Sequence, residues 1–323
     1  MSNPFQVTKA LRRALAAAAL SACLAGSAAA QHYSEWSAPT SLGPGVNSPF
    51  NDQHPAISRD ELTLYFVSDR PSGAGGTDIW MSKRASVDEP WGAPAPLLGA
   101  INTSAAEFAP TFGASDNLLM FGSERPGGCG SRDIWTSFRK DKRDDSAWET
   151  PVNLGCGLNF SGFDDGPTWF EDDNGLVTVF FTAQNRPGGL GDFDVWASTQ
   201  NPDGSFAPAV NVTELNSPLR DTRTSIRRDG LEMFFTSQRP GSLAGSLDLW
   251  VSERATTALT WSIPESIGGP VNGSANDGAP NLSWDATALY FYSNRVGGAG
   301  ANDLYVSRRI KLAPGQAERG NGL

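Results

Sequence analysis

Histidine, cysteine and charged residues are scarce in this 323-residue chain. It contains two histidines and three cysteines, and Asp, Glu, Lys and Arg together make up 19% of its residues. No Gly-x-Ser-x-Gly motif accompanies the two histidines, His32 and His54, so a Ser-His-Asp hydrolase is excluded. An amphipathic helical period is also missing after the N-terminus, which argues against a helical fold. The formal net charge is −10, and nucleic acid is therefore not an expected partner.

Glycine, proline and aromatic residues are plentiful, which is typical of short strands joined by tight turns. A stretch of about fifteen residues, first seen from Ser68 to Ser82, occurs five times in the chain. Arginines open the copies: Arg70, Arg125, Arg186, Arg239 and Arg295. Aspartates close the copies: Asp78, Asp133, Asp194, Asp248 and Asp303. Each copy belongs to a longer unit of 55 to 58 residues that also contains a Trp- or Phe-led segment and a further acidic residue.

Four short strands are predicted in each unit, and the pattern favours an all-β, five-bladed β-propeller of four-stranded antiparallel blades. A lone strand near Trp36 precedes the first complete unit, and the last unit ends after three strands. The N-terminal strand should therefore join the last blade and close the ring. We expect the propeller to cover 31–311 and a disordered tail to follow at 312–323. Large rings at two repeated positions should fill the wedges between blades.

The first 30 residues have the pattern of a signal peptide, with basic residues, an apolar run and a small-residue cleavage site. The apolar run is too short for a membrane span. We predict a secreted or periplasmic protein, with a lipoprotein anchored through Cys23 as the alternative. Cys129 and Cys156 fall in loops expected on one face, and an oxidising compartment favours a disulfide between them.

The units resemble the TolB-type, WD40-like propeller repeats of bacterial envelope proteins. The residues that carry this resemblance are the Pro-x-x-Ser-x-Asp turn leading into Leu-Tyr-Phe-x-Ser-Asp-Arg, Pro55 to Arg70, and the Gly-rich stretch ending at Trp80. The similarity covers nearly all of the chain after residue 30. It implies a propeller and says little about function, because such propellers include docking surfaces, sugar binders and some enzymes.

Five acidic residues and the five opening arginines are predicted to share one binding face. These acidic residues are Asp52, Glu107, Asp164, Asp221 and Asp277. Because every unit repeats them, we expect them mainly to brace their own loops. The functional alternative places the five carboxylates around a central channel, where a calcium ion could balance their negative charge. Apart from calcium, no cofactor is expected. The residues of a metal site stay unknown. His54, beside Pro55, is expected in a loop, with metal ligation as the lesser reading.

The sequence favours a monomeric, non-enzymatic binding or scaffold module whose loop-rich face meets an envelope protein or a glycan. The alternative is a carbohydrate-active hydrolase that uses Glu107 as acid, with Asp52 or Asp164 as base or nucleophile. We therefore predict a binding protein in preference to an enzyme; if the chain is an enzyme, we expect a glycoside hydrolase.

Overall fold

The computed structural model describes residues 32–97, 99–113, 115–243 and 247–313, so the predicted signal peptide and the tail after residue 313 lie outside them. Contacts divide the chain into two units, 36–309 and a smaller one of 1–35 and 310–323. In the smaller unit Tyr33 and Lys311 form an antiparallel bridge, and the amide of Ser34 donates to the carbonyl of Ile310 at 2.9 Å.

The larger unit contains five four-stranded antiparallel sheets, which confirms the predicted five-bladed β-propeller. Blade 1 is β2 (Asp52–Ile57), β3 (Thr63–Ser68), β4 (Asp78–Lys83) and β5 (Ala95–Pro96). Blade 2 is β6 (Glu107–Phe112), β7 (Leu118–Ser123), β8 (Asp133–Phe138) and β9 (Val152–Asn153). Blade 3 is β10 (Phe163–Glu171), β11 (Val177–Gln184), β12 (Phe193–Thr199) and β13 (Val210–Asn211). Blade 4 is β14 (Asp221–Ile226), β15 (Glu232–Ser237), β16 (Asp248–Glu253) and β17 (Glu265–Ser266). Blade 5 is β18 (Asp277–Leu282), β19 (Ala288–Ser293), β20 (Asp303–Arg308) and β1 (Thr40–Ser41).

The N-terminal strand closes the ring as predicted. Thr40 and Ser41 of β1 pair with Val306 and Tyr305 of β20, so the last blade takes its fourth strand from the beginning of the chain. A buried ion pair adds to this closure, because Arg309 donates to both carboxylate oxygens of Glu232 in blade 4, at 2.8 and 2.7 Å. The termini of the propeller are thus held by both a sheet edge and a charged contact.

The first strand of each blade is innermost and packs against the first strands of both neighbouring blades. Every inner strand shifts register by a bulge in its pairing with the second strand. At each bulge one residue has a positive φ: His54 (50°), Ala109 (45°), Gly166 (61°), Arg223 (55°) and Ala279 (50°). Such bulges re-aim neighbouring side chains, so this position decides what lines the axis of the ring. His54 therefore lies in strand β2, and its predicted loop position is wrong.

Aromatic residues fill the wedges between blades, as the repeat predicts. One cluster joins Tyr65 and Ile79 of blade 1 to Phe121, Trp135 and Trp148 of blade 2, all buried. Equivalent clusters lie between the other pairs of neighbouring blades. Burial of rings of this size contributes on the order of 2 kcal/mol each, so the wedges provide much of the driving force for closing the ring.

A second set of repeated arginines, which the sequence did not single out, braces the outer part of four blades. Their guanidinium carbons lie 4.2 to 4.4 Å from a tryptophan ring centre, in the pairs Arg84–Trp91, Arg139–Trp148, Arg254–Trp261 and Arg309–Trp36. Each guanidinium also donates to a carbonyl in the turn between the first and second strands of its blade. These contacts are structural, because both partners belong to the repeat.

Candidate functional site

The two faces of the propeller differ in which connections they carry. We call the face formed by the second-to-third-strand connections and the starts of the inner strands the loop face. The turn face, at the other end of the inner strands, carries the first-to-second-strand turns, such as 58–62 and 227–231. The residues predicted for a binding face all belong to the loop face.

Each predicted acidic residue is fully buried and is held by the arginine of its own blade. The shortest nitrogen–oxygen distances are 2.5 Å (Asp52–Arg70), 3.2 Å (Glu107–Arg125), 3.4 Å (Asp164–Arg186), 2.6 Å (Asp221–Arg239) and 2.6 Å (Asp277–Arg295). Each carboxylate also accepts a backbone N–H from the residue four positions earlier, as Asp52 does from Ser48 at 2.6 Å. The structure thus pairs these residues within blades, as expected for residues that brace their own loops, whereas the functional alternative needs them to act together across the channel.

The Gly-rich loops are explained by the same bracing. The closing aspartates accept backbone N–H groups of their loops; Asp133, for example, accepts from Cys129 at 2.7 Å. A side chain at Gly128 would collide with the Asp133 carboxylate, and Gly73, Gly189 and Gly298 stand in the same relation to their own aspartates. The glycines therefore leave room for a carboxylate of the chain itself.

The predicted disulfide is present. Cys129 and Cys156 are bonded, with their Cα atoms 5.6 Å apart. The bond links the loop between the second and third strands of blade 2 to the residues that follow β9. A disulfide is typical of proteins that fold in an oxidising compartment.

Blade 3 departs from the repeat at its acidic residue. In the other blades a serine of the second strand faces the acid, but β11 places Ala183 opposite Asp164. The contact of Asp164 with Arg186 is also the longest of the five, at 3.4 Å. Burial raises the pKa of Asp164 to about 7, against the opposing effects of the Phe160 N–H and Arg186. This carboxyl group therefore carries a proton in mildly acidic solution.

A second departure places charge at the axis of the ring. The residues that directly follow the five acids are Gln53, Phe108, Asp165, Thr222 and Gly278. Asp165 is fully buried, and one of its oxygens accepts from Arg132 at 2.7 Å and from Arg223 at 2.8 Å. Burial alone would raise the pKa of Asp165, but the two arginines outweigh it and lower the pKa to about 2. Asp165 is therefore a permanent anion at neutral pH.

His54 extends this group, which we call the axial cluster: Asp165, Arg132, Arg223, His54 and Tyr292. Arg223 Nε donates to His54 Nε2 at 3.2 Å, so the neutral ring carries its proton on Nδ1. Burial and the charge of Arg223 lower the pKa of His54 well below its usual value. The Tyr292 ring meets that of His54 edge-on at 6.1 Å, and burial raises the pKa of its hydroxyl.

The axial cluster contains buried polar atoms without partners among the described residues. They include His54 Nδ1 and Arg223 Nη1, both of which are hydrogen-bond donors. A cavity of about 30 Å³ beside them is large enough for a water molecule. A second cavity, of about 200 Å³, lies on the loop face and is lined by Gln53, His54 and Phe108. The cluster thus offers donors to an oxygen-rich ligand.

Sequence reasoning did not identify Asp165, Arg132, Arg223 or Tyr292. The signal for Asp165 is present in the repeat, because a charged residue follows the acid in one unit only and a neutral residue follows it in the other four. Among the described residues, no group of three or more His, Cys, Asp or Glu side chains is placed to hold a metal ion. The calcium site therefore stays a prediction.

Comparisons with known proteins identify the fold. No family model matches the sequence, and no curated protein sequence matches it. A thermostable family-43 glycoside hydrolase matches with a TM-score of 0.55 and 12% identity, over 85% of this chain and 93% of the other. The α-L-arabinofuranosidase from Lactobacillus brevis has a TM-score of 0.56 and 14% identity, over 84% and 93%. The catalytic domain of the Coprinopsis cinerea GH62 α-L-arabinofuranosidase has a TM-score of 0.57 and 12% identity, over 86% and 98%.

These comparisons correct two predictions. The preference for a non-enzymatic protein is contradicted, because the three solved propellers just described are a glycoside hydrolase and two α-L-arabinofuranosidases. The assignment to TolB-type, WD40-like binding proteins is not supported for the same reason. The resemblance did not identify the family, because the residues of the motif specify the turns of a blade, and blades of this kind are compatible with several families.

Within the described residues, no helix is long and apolar enough to cross a membrane.

Proposed function

We propose that this protein is a secreted carbohydrate-active hydrolase that handles its glycan at the axial cluster on the loop face. The observation that carries the proposal is the axial cluster itself, in which a fully buried aspartate meets two partly buried arginines where one blade departs from the repeat. The shared fold with glycoside hydrolases supports the substrate class. The disulfide supports an oxidising location. Periplasmic residence and anchoring through Cys23 remain alternatives, and a monomer is expected.

Asp165 is the proposed carboxylate of the reaction. Cleavage of a glycosidic bond passes through a state with positive charge on the sugar ring, and an ionised carboxylate stabilises that charge. Asp165 remains ionised above about pH 2, so it can serve at any physiological pH. Tyr292 is the proposed proton donor, because it packs against His54 and brings a neutral O–H group to the axial cluster.

The ring acids form the competing catalytic set. Glu107, Asp52 and Asp164 are fully buried, and each is held by a loop amide and by the arginine of its own blade. Asp165 is equally buried, but it is held between blades, by Arg132 of blade 2 and Arg223 of blade 4. On our proposal, Glu107→Gln lowers stability by about 3 kcal/mol, because it removes the carboxylate from Arg125. Folded Glu107→Gln protein should still turn over substrate. Abolished turnover with unchanged melting temperature would favour the ring acids.

The direct test measures hydrolysis of arabinose- and xylose-containing oligosaccharides and of the corresponding nitrophenyl glycosides. Asp165→Asn should lower kcat by at least about 100-fold, because it removes the charge that the transition state needs. Asp203→Asn is the matched control, since Asp203 lies in an exposed turn of blade 3 and should behave as wild type. Failure of wild-type protein to cleave any of these glycans, or equal rates for the two variants, would refute the proposal.

A further inference from the structure

A cavity of about 430 Å³ opens on the turn face, at the opposite end of the inner strands from the axial cluster. It is about twice as large as the 200 Å³ cavity on the loop face. Ile57, Phe112 and Trp169, from the ends of three inner strands, contribute to an apolar floor. This combination of size, a partly apolar floor and a charged rim suits a small polar ligand.

The cationic part of the rim is an arginine–tryptophan–arginine stack. Trp284 of blade 5 is 40% exposed, and the guanidinium carbons of Arg59 and Arg228 lie 3.7 and 5.3 Å from its ring centre. Among the described residues, none accepts a hydrogen bond from either guanidinium group or forms an ion pair with it. Two positive charges therefore share one ring, and their N–H donors are available to a ligand.

A third donor lies in the wall of the same cavity. Trp169 Nε1 is buried and has no hydrogen-bond partner among the described residues. A buried N–H without an acceptor destabilises the folded state unless water or a ligand satisfies it. The two guanidinium groups on the rim thus lack acceptors, and so does the buried Trp169 N–H, which a water molecule or a ligand oxygen would satisfy.

Blade 3 supplies the acidic part of the rim, with Glu171 and Asp173 both exposed. Carboxylates accept hydrogen bonds from hydroxyl groups, whereas they repel a ligand that is anionic throughout. Burial and the charge of Arg228 lower the pKa of Arg59, whereas Asp116 and Glu171 raise it. The repulsion between the two arginines would be relieved by a single bound anionic group.

We propose that this cavity binds an acidic sugar residue of a glycan. The sugar carboxylate would lie against Arg59 and Arg228, the apolar face of the sugar ring against the floor, and hydroxyl groups against Glu171 and Asp173. A neutral sugar would leave the guanidinium pair unused, and a simple anion would gain nothing from the acidic rim. This second site does not depend on hydrolysis at the axial cluster.

The test is calorimetric titration with α-1,4-digalacturonate and with α-1,4-galactobiose, its neutral counterpart. Wild-type protein should bind the acidic disaccharide at least about tenfold more tightly, the difference expected for one charge-assisted hydrogen bond. The double variant Arg59→Gln/Arg228→Gln should lose this preference. Arg143→Gln, which changes an exposed arginine between β8 and β9, should keep it.

Two further variants make the result decisive. Trp169→Phe keeps an aromatic ring, although a smaller one, but removes the unpartnered N–H, and should weaken binding by about two- to tenfold without unfolding the protein. Asp165→Asn should bind digalacturonate like wild type, whether or not it has lost hydrolytic activity. Equal affinity for the two disaccharides, undetectable binding at millimolar concentration, or loss of binding in Asp165→Asn protein that is folded at the assay temperature would each overturn the proposal.

Discussion

Replacement of Asp164 by asparagine should change how the stability of the propeller depends on pH. The introduced amide would mimic the protonated carboxyl group, because its oxygen can still accept the N–H of Phe160, which donates to Asp164 at 2.7 Å. The pKa of Asp164 is raised to about 7 in the folded protein, against about 3.9 in an unfolded chain. The wild-type residue therefore favours folding at low pH, and this advantage decreases as pH rises.

The magnitude follows from the linkage between proton binding and folding. Between about pH 4 and pH 7 the folded state holds a proton that the unfolded state has released, so stability falls by about 1.4 kcal/mol per pH unit. The total is about 4 kcal/mol, and it is complete once the pH exceeds the folded pKa. Asp164→Asn lacks this contribution. Relative to wild type, the variant should therefore gain about 4 kcal/mol between pH 4 and pH 8.

The assay is urea unfolding followed by tryptophan fluorescence at several pH values from about 4 to 8. Asp221→Asn is the matched control from blade 4, where the carboxylate lies 2.6 Å from Arg239 and accepts from Ser237 at 2.6 Å. This control should be destabilised by about 3 kcal/mol at pH 7, because it leaves Arg239 without its buried anion. A pH-independent difference between Asp164→Asn and wild type would refute the reasoning, as would equal losses for the two variants at pH 8.

Two further predictions concern the disulfide and the axial cluster. Cys129→Ala/Cys156→Ala removes a disulfide that closes a loop with a sequence separation of 27. The loss should lower the free energy of unfolding, measured in urea titrations, by about 3.5 kcal/mol. A loss below about 1 kcal/mol would contradict this prediction. Gly166→Ala should abolish glycan turnover, because its φ is 61° and its Cβ would lie 2.7 Å from Arg223 Nη1. Gly175→Ala is the control, with a φ of 79° and open space around it, and should lose only about 1–2 kcal/mol of stability and no activity.

The sequence predicted the ring because the repeat encodes it five times. Strand number, the closure by β1 and the wedge aromatics all follow from residues that recur in every unit, as Trp80 and Trp135 illustrate. The disulfide followed from placing Cys129 and Cys156 in loops of one face. These features are local or periodic, and local periodicity is what a single sequence displays most clearly.

The candidate site could not be predicted in the same way, because it depends on contacts between blades. Arg132 and Arg223 are 91 residues apart in the chain, yet they bind the same oxygen of Asp165. Arg132 directly precedes β8, whereas Arg223 lies at the bulge of its inner strand, and the five bulges occur at a histidine, two alanines, a glycine and an arginine. No residue type marks the position, so the geometry became visible only in the folded ring.

The axial cluster is better explained by function than by stability. Two glycines make room for it: a Cβ at Gly122 would collide with the Asp165 carboxylate, and one at Gly166 would crowd Arg223. Glycine within a strand costs about 0.5–1 kcal/mol relative to alanine, and a buried ion pair is often no more stabilising than an apolar replacement. The cluster also leaves Arg223 Nη1 and His54 Nδ1 without partners among the described residues, which adds a further cost. A propeller selected for stability alone would carry the repeat residues here, so we infer that a ligand, or the water molecule that the neighbouring cavity can hold, supplies the missing contacts.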